Sequence, residues 1–329
     1  MKRGVLSSLA AGICLLLLIL DAKTAFSGAM EGIALCIQAL IPSLFPFLVL
    51  SMVLTSSLAG QLMPVLRPIG RFTGMPRRSE SLLVVGLLGG YPVGAQNVSQ
   101  AYREGRLSKE NAHRLLGFCS NAGPAFLFGI VAGKFQHIST VWVLWAIHIL
   151  SALLTGLLLP GRSNERIELT PAVSLTLPQA LERSVKVMAT ICGWVILFRI
   201  ILAFCCRWFL WLFPDWVQVI WMSLTELTNG CCALDGIALE GMRFVVAAGI
   251  LSFGGICVMM QTVSVTDKLG MGLYFPGKLI QTLISILLSG SIQYLLFPAD
   301  SQFTAIPLIV ASFIGLIVLN MYLKITKKE

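Results

Sequence analysis

Few side chains in this sequence are placed to do chemistry, and those few stand in apolar surroundings. Glu226 closes a short apolar run beside Thr228-Asn229-Gly230, Arg199 interrupts a long one, and His148 interrupts another. Charge inside a membrane is costly, so such groups are functional candidates by default. A carboxylate at Glu226 could handle a coupling ion or a proton. Arg199 could attract an anion or pair with Glu226. The plain alternatives are an interfacial carboxylate, a snorkelling or internally paired arginine and a packed histidine. The chain contains no Walker A, HExxH or GxSxG motif and no zinc-spaced Cys/His set, the short signatures that carry those chemistries. With no nucleophile–base pair visible, we expect no enzyme, no cofactor and no metal site.

The stronger candidates are polar breaks in apolar runs. One set is Gly90, Tyr91, Pro92, Gly94 and Asn97; a second is Ser120, Asn121, Gly123 and Pro124. Thr228, Asn229 and Gly230 mirror the first set, and Ser252, Gly254, Gly255 and Gln261 mirror the second. Unwound turns expose unpaired N–H and C=O groups, and half-helix N-termini suit a carboxylate or phosphate. These positions are the predicted substrate-binding residues, with Glu226 and Arg199 as charge candidates. The competing reading is that the glycines only allow close helix packing, as small residues do in membranes.

Such breaks require elements that hold them in a bilayer, and the composition supplies them. Of 329 residues, 57% are apolar and 12% charged, and the mean hydropathy is +0.86. Soluble domains carry about 25% charge, so a soluble enzyme, a disordered chain and a disulfide scaffold are excluded. At about 20 residues per span, the chain has room for about eight transmembrane helices. The net charge of +9 reads as the positive-inside bias. Nucleic-acid binding is excluded, because no aromatic-interleaved basic surface accompanies the charge. The nine cysteines form no CxxC pair and behave as small hydrophobes, so no structural disulfide is expected.

Gly4 to Leu20 is apolar behind Lys2 and Arg3. It reads as a retained first span with a cytoplasmic N-terminus, a signal peptide being the alternative. Gly28 to Leu58 is a second span in which Pro42 and Pro46 predict a kink or an unwound turn. Ser81 to Leu88 is too short to cross, and the Gly-Pro cluster after it breaks a helix. A re-entrant hairpin solves this, its tip facing protein or water. Leu115 to Phe135, interrupted at 119–124, and Ser139 to Leu159 are further spans. A polar linker follows at 160–183, and then a span over Ser184 to Phe213.

The order then returns. Trp216 to Leu227 breaks at Thr228-Asn229-Gly230, Phe244 to Val265 is interrupted at Ser252-Phe253-Gly254-Gly255, and Tyr274 to Phe297 is clean. We therefore predict an inverted repeat of units 26–159 and 184–297, flanked by an N-terminal helix (1–25) and a C-terminal helix with its basic tail (298–329). Residues 61–114 carry eight Lys and Arg against three acids, a net +5; residues 214–243 carry Arg243 against four acids, a net −3. The first hairpin thus belongs inside, the second outside, and Lys324, Lys327 and Lys328 keep the C-terminus cytoplasmic. Paired broken segments in inverted repeats mark secondary transporters. Arg103, Arg106, Lys109 and Arg114 read as a solvated, headgroup-facing surface.

Ile41-Pro42-Ser43-Leu44-Phe45-Pro46-Phe47, Gly90-Tyr91-Pro92-Val93-Gly94-Ala95, Cys119-Ser120-Asn121-Ala122-Gly123-Pro124, Thr228-Asn229-Gly230 and Ser252-Phe253-Gly254-Gly255 together resemble the sporulation integral membrane protein YlbJ (SpoVV) family. That family is assigned to the nucleoside-recognition, or Gate, domain group, and the resemblance runs from about residue 26 to 323. It implies an all-α membrane protein similar in fold to concentrative nucleoside transporters. It also implies a role in moving dipicolinate, a small planar dianion, across the outer forespore membrane during sporulation. The expected partners are a small-molecule anion and the lipid bilayer. Nucleoside transport, a non-transporting scaffold in a membrane complex, and a homo-oligomer stay open.

Overall fold

The computed structural model describes residues 2–58, 61–163, 165–167, 174–300 and 306–325, and Lys327 and Lys328 lie outside them. Among the described residues the regular elements are helices, joined by turns and short irregular segments, with one isolated bridge between Arg77 and Arg166. In chain order the helices are α1 (Lys2–Leu20), α2 (Ala22–Leu58), α3 (Arg67–Thr73), α4 (Glu80–Gly89), α5 (Val93–Arg103), α6 (Lys109–Leu116) and α7 (Pro124–Lys134). There follow α8 (Ile138–Leu158), α9 (Leu177–Trp208), α10 (Asp215–Thr225), α11 (Leu227–Cys232), α12 (Glu240–Phe253), α13 (Gly255–Thr266), α14 (Tyr274–Leu296) and α15 (Ile306–Ile325). Among the described residues, five segments are long and apolar enough to cross a membrane: α2, α8, α9, the α12–α13 run Glu240–Leu269, and α14. The chain is an all-α integral membrane protein.

Helix α2 does not unwind at its prolines. It absorbs them in a single π-helical turn at Cys36–Leu40, with Pro46 inside the regular helix that follows. Proline removes the donor to the residue four back, and one extra residue in the preceding turn takes up the misfit. The same helix docks on α9 through Gly28 and Gly32. A Cβ there would stand 2.8 Å from Ala203 Cβ and 2.9 Å from Ile196 Cα, the close approach that Gly-xxx-Gly spacing allows. Helix α9 begins at Leu177, inside the stretch read as linker, because Thr176 and Gln179 form a reciprocal capping box.

Two pairs of elements position the functional residues. Helices α4 and α5 form a hairpin around Gly90-Tyr91-Pro92 whose arms cross at Gly86 and Gly94; a Cβ on Gly94 would stand 2.9 Å from Gly86 Cα. The carbonyl of Cys119 sits in that crossing, 1.8 Å from where a Gly86 Cβ would be. Helices α10 and α11 form the second hairpin, crossing at Ser223 and Gly230, where a Cβ on Gly230 would stand 2.5 Å from Ser223 Cα. Its companion break is at Gly254 and Gly255, both at φ +81°, and a Cβ on Gly255 would stand 3.1 Å from the Ser223 carbonyl. Each hairpin therefore clasps the interrupted helix that follows it in sequence.

The two interrupted helices run in opposite directions. At one end His113 Nε2 lies 2.7 Å from the Leu269 carbonyl, pairing the start of the first with the end of the second. At the other, Lys134 forms an ion pair with Asp235, and Arg243 Nη1 donates to the Lys134 carbonyl at 2.8 Å. One buried apolar cluster, including Ala122, Leu127, Leu227, Ala247, Leu251 and Val258, joins both halves around the breaks.

Candidate functional site

Lys278 is the centre of the site. Gly277 and Gly117 have no side chains to separate α14 from the end of α6; a Cβ on Gly277 would stand 2.2 Å from the Gly117 carbonyl. That backbone contact delivers the next residue to the first break. The Lys278 ammonium is fully buried. It donates to the Ser120 carbonyl, to Gln281 Oε1 at 2.6 Å and to the Tyr91 hydroxyl at 3.2 Å. It also lies 5.1 Å from the Tyr91 ring centroid and 5.9 Å from that of Tyr274, within cation–π range. No carboxylate pairs with it among the described residues. A buried charge is tolerated only when hydrogen bonds replace its lost hydration, and three neutral acceptors do that here.

The network continues across both halves. Gln281 Nε2 donates to Asn121 Oδ1 at 2.8 Å, and Asn121 Nδ2 donates to the Phe118 carbonyl at 2.8 Å. The Ala122 N–H donates to His148 Nε2 at 3.2 Å, and the other ring nitrogen lies 3.4 Å from the Ser252 hydroxyl. The Tyr91 hydroxyl donates to the Leu251 carbonyl at 3.4 Å. The first hairpin tip and the first break are thus bonded to the second interrupted helix. Ser120 Oγ is buried within this centre without a partner.

The second tip breaks at Glu226, before the Thr228-Asn229-Gly230 triplet read as the break. Its extended backbone (φ −147°, ψ 125°) makes it the N-cap of α11. Its carboxylate accepts from Thr228 N at 2.9 Å, Asn229 N at 2.7 Å and Asn229 Nδ2 at 2.7 Å. A half-helix N-terminus predicted to hold an anion holds its own. Glu226 is buried, and its three donors are the compensation that burying a carboxylate requires.

Both tips open onto one cavity of about 60 Å³, lined by Gly90, Tyr91, Gly123, Glu226, Thr228 and Gln261 among mostly apolar walls from α2, α7 and α9. That volume holds a few waters. Glu226 is the charged side chain in its wall; Lys278 stands behind Tyr91.

The remaining sequence candidates divide by role. Gly94 and Gly230 serve the hairpin crossings. Pro92 is the buried N-cap of α5, and Pro124 opens α7. Gly254 packs against Tyr91, a Cβ there standing 3.4 Å from the ring. Asn97 is half-buried and donates within its own helix to the Val93 carbonyl at 2.9 Å, away from the centre. Arg199 pairs with Glu31 across the α2–α9 contact, not with Glu226. Arg114 is no part of a solvated surface. It is 1% exposed and donates to the Thr73 and Gly156 carbonyls at 2.5 Å, Gly74 at 3.0 Å and Pro160 at 3.1 Å, tying the ends of α3 and α8 together. Cations suit helix C-termini, and a guanidinium has donors enough for four carbonyls.

Lys278 and Gln281 are the residues that sequence reasoning missed, although a signal was present. Lys278, Gln281, Ser285, Ser289 and Gln293 recur at helical spacing in an apolar span, and all five are buried. A polar stripe on a spanning helix faces the protein interior.

A stretch of 103 residues, 30% of this chain, is 35% identical to the sporulation integral membrane protein YlbJ of Bacillus subtilis (strain 168) and covers 24% of that protein. No described family profile matches the chain, and no solved structure matches it. The chain is therefore an all-helical integral membrane protein distantly related to a sporulation membrane protein.

Proposed function

We propose that this chain is a secondary transporter carrying a small anionic metabolite between its two halves by alternating access. The observation that supports this is the antiparallel crossing of the two interrupted helices, with both hairpin tips converging on one buried polar centre. Carriers built from inverted repeats bind substrate near the midplane at such a crossing. On this reading the chain has about eight spans and two re-entrant hairpins opening to opposite faces, with both termini cytoplasmic. Lys278, whose partners are all neutral, favours a solute bearing a carboxylate. Glu226 is the coupling group, exchanging a proton or cation as the second tip moves. The cavity of about 60 Å³ is the closed state, which opens when Tyr91 and the first tip withdraw from Leu251.

The relative's link to sporulation makes dipicolinate the first solute to test. A second reading, a neutral nucleoside, is favoured by one observation: Glu226 is the charged group that lines the cavity. Uptake of labelled dipicolinate and of labelled uridine into proteoliposomes separates the two, with Asn121→Leu and Asn229→Leu as controls. Dipicolinate uptake above empty liposomes and lost in both variants is expected. Uptake of uridine alone selects the second reading. Uptake of neither, across a panel of anions and nucleosides, overturns transport and leaves a scaffold role.

A further inference from the structure

A second polar recess lies beyond the end of α2, at the start of α4 and apart from the residues that line the first cavity. Its volume is about 370 Å³, and its charged lining is Arg67, Arg77, Arg78 and Arg166 against Glu80, a formal excess of three positive charges. No ion pair among the described residues involves any of these four arginines. Glu165, the acid next to Arg166, is engaged elsewhere: its Oε2 accepts from Asn111 Nδ2 at 2.6 Å.

The backbone holds these like charges together. Arg77 N donates to the Glu165 carbonyl at 2.7 Å, and Ile167 N donates to the Arg77 carbonyl at 3.0 Å, forming a parallel bridge that sets Arg77 against Arg166. Like charges directly opposite one another are unfavourable. Arg78 takes a left-handed conformation at φ +74°, which a non-glycine side chain adopts at a cost and which concentrates at binding sites. An anion shared between the guanidiniums relieves the repulsion, and guanidinium forks match phosphate oxygens two at a time. Leu62, Met63 and Pro64 form the rest of the rim. Leu62 and Val65 are 56% and 86% exposed where the longest span ends. The recess thus combines four arginines with an apolar rim, the pairing that suits an anionic headgroup and the start of its chains.

We propose that this recess binds a phosphate group, as carried by an anionic phospholipid headgroup or by free phosphate. The site is independent of the transport reading. The test is thermal unfolding and ligand titration of the detergent-solubilised full chain with three probes: short-chain phosphatidylglycerol, short-chain phosphatidylcholine and inorganic phosphate. Phosphatidylglycerol should raise the melting temperature in a saturable way while phosphatidylcholine does not. Binding should weaken by about tenfold or more in R77Q/R166Q, the scale of a lost charge-assisted hydrogen bond. Saturation by inorganic phosphate at comparable concentration assigns the site to a free anion; saturation only by the lipid assigns it to the headgroup. Arg77 and Arg166 are exposed, so R77Q/R166Q should elute as the wild type does; R67Q/R78Q is the second variant and should show the same loss. The exposed surface variant R103Q should leave binding unchanged. Equal weakening by R103Q, or no saturable response to either phosphate probe, overturns the proposal.

Discussion

Replacing Lys278 by methionine separates the two things this residue could be, a structural strut or a substrate contact. The ammonium satisfies the Ser120 carbonyl and Gln281 Oε1, both fully buried. Leaving two such acceptors unmet costs about 1–3 kcal/mol each, so about 2–6 kcal/mol together. Against this, removing a buried ammonium with no carboxylate partner recovers a desolvation penalty of several kcal/mol. The two nearly cancel, and methionine fills the space of the stem. K278M should therefore melt close to the wild type. K278A empties the space as well and should lose about 2–5 kcal/mol more, the range for truncating a large buried side chain. Transport should respond differently, because a contact to a charged ligand is worth about 1.5–3 kcal/mol, or about ten- to a hundredfold in affinity. The assay pairs thermal unfolding in detergent with concentration-dependent dipicolinate uptake in proteoliposomes. A stable K278M with unchanged KM and rate would refute the substrate role. A K278A protein as stable as the wild type would refute the burial argument itself.

Gly86→Ala should prevent folding, since its Cβ would stand 1.8 Å from the Cys119 carbonyl; Gly193→Ala, with nothing within 4 Å, should be neutral or gain about 0.5–1 kcal/mol, both read by detergent melting curves. Arg114→Met strands four carbonyls and should cost about 3 kcal/mol or more; Arg114→Lys should recover only part, having three donors and no planar fork. Glu226→Gln keeps one of the two acceptor oxygens but turns an NH2 toward a buried N–H, and should lose about 1–3 kcal/mol, whereas Glu226→Ala leaves all three donors unmet and should lose more; proton-driven uptake should fail in both, and a proton gradient that still drives uptake in Glu226→Gln would remove its coupling role. Single cysteines at Arg103 and at Glu240 should label with a membrane-impermeant reagent from opposite faces, and labelling from one face would exclude the inverted arrangement.

What the sequence made legible follows from which forces act locally. The breaks at Gly90-Tyr91-Pro92 and Gly254-Gly255 were readable because glycine and proline disrupt helices wherever they stand. The start of α6 is equally local: the Ser108 hydroxyl accepts from Asn111 N at 3.4 Å within one turn. Glu226 reads as a charge candidate beside the second break, but the triplet sets that break two residues late, at Thr228, because nothing in its neighbours says that its own carboxylate caps the helix after it. Arg114 looked solvated because three charged neighbours share its stretch; its burial depends on carbonyls 40 to 46 residues away in sequence. The pairing of Arg199 with Glu31 was illegible likewise, since it depends on α2 docking against α9. Lys278 is different. Its signal, a lone lysine at the head of a polar stripe in an apolar helix, was present and required only the rule already applied to Glu226.

The two breaks carry opposite charges, each set against backbone groups that the break leaves free. The Ser120 carbonyl lies in the irregular backbone of the first break, past the end of α6; the group that meets it is an ammonium. The Thr228 and Asn229 N–H groups begin a half-helix and present the positive end; the group that meets them is a carboxylate. Each exposed backbone group is matched by a charged side chain that satisfies it, and at the second break that charge also suits the helix N-terminus. An internal counter-charge at each break satisfies the backbone groups that two interrupted helices leave free beside a small, mostly apolar cavity. It also limits what can bind there. A ligand anion gains little at Thr228 and Asn229 while Glu226 occupies them, and gains at Lys278 only by taking the place of Ser120, Gln281 or Tyr91. Of these three, Tyr91 is held most weakly, at 3.2 Å from the ammonium and 3.4 Å from the Leu251 carbonyl, and it lines the cavity. The route from the cavity to the buried cation therefore runs through displacement of Tyr91, the side chain that also ties the first hairpin tip to the second half.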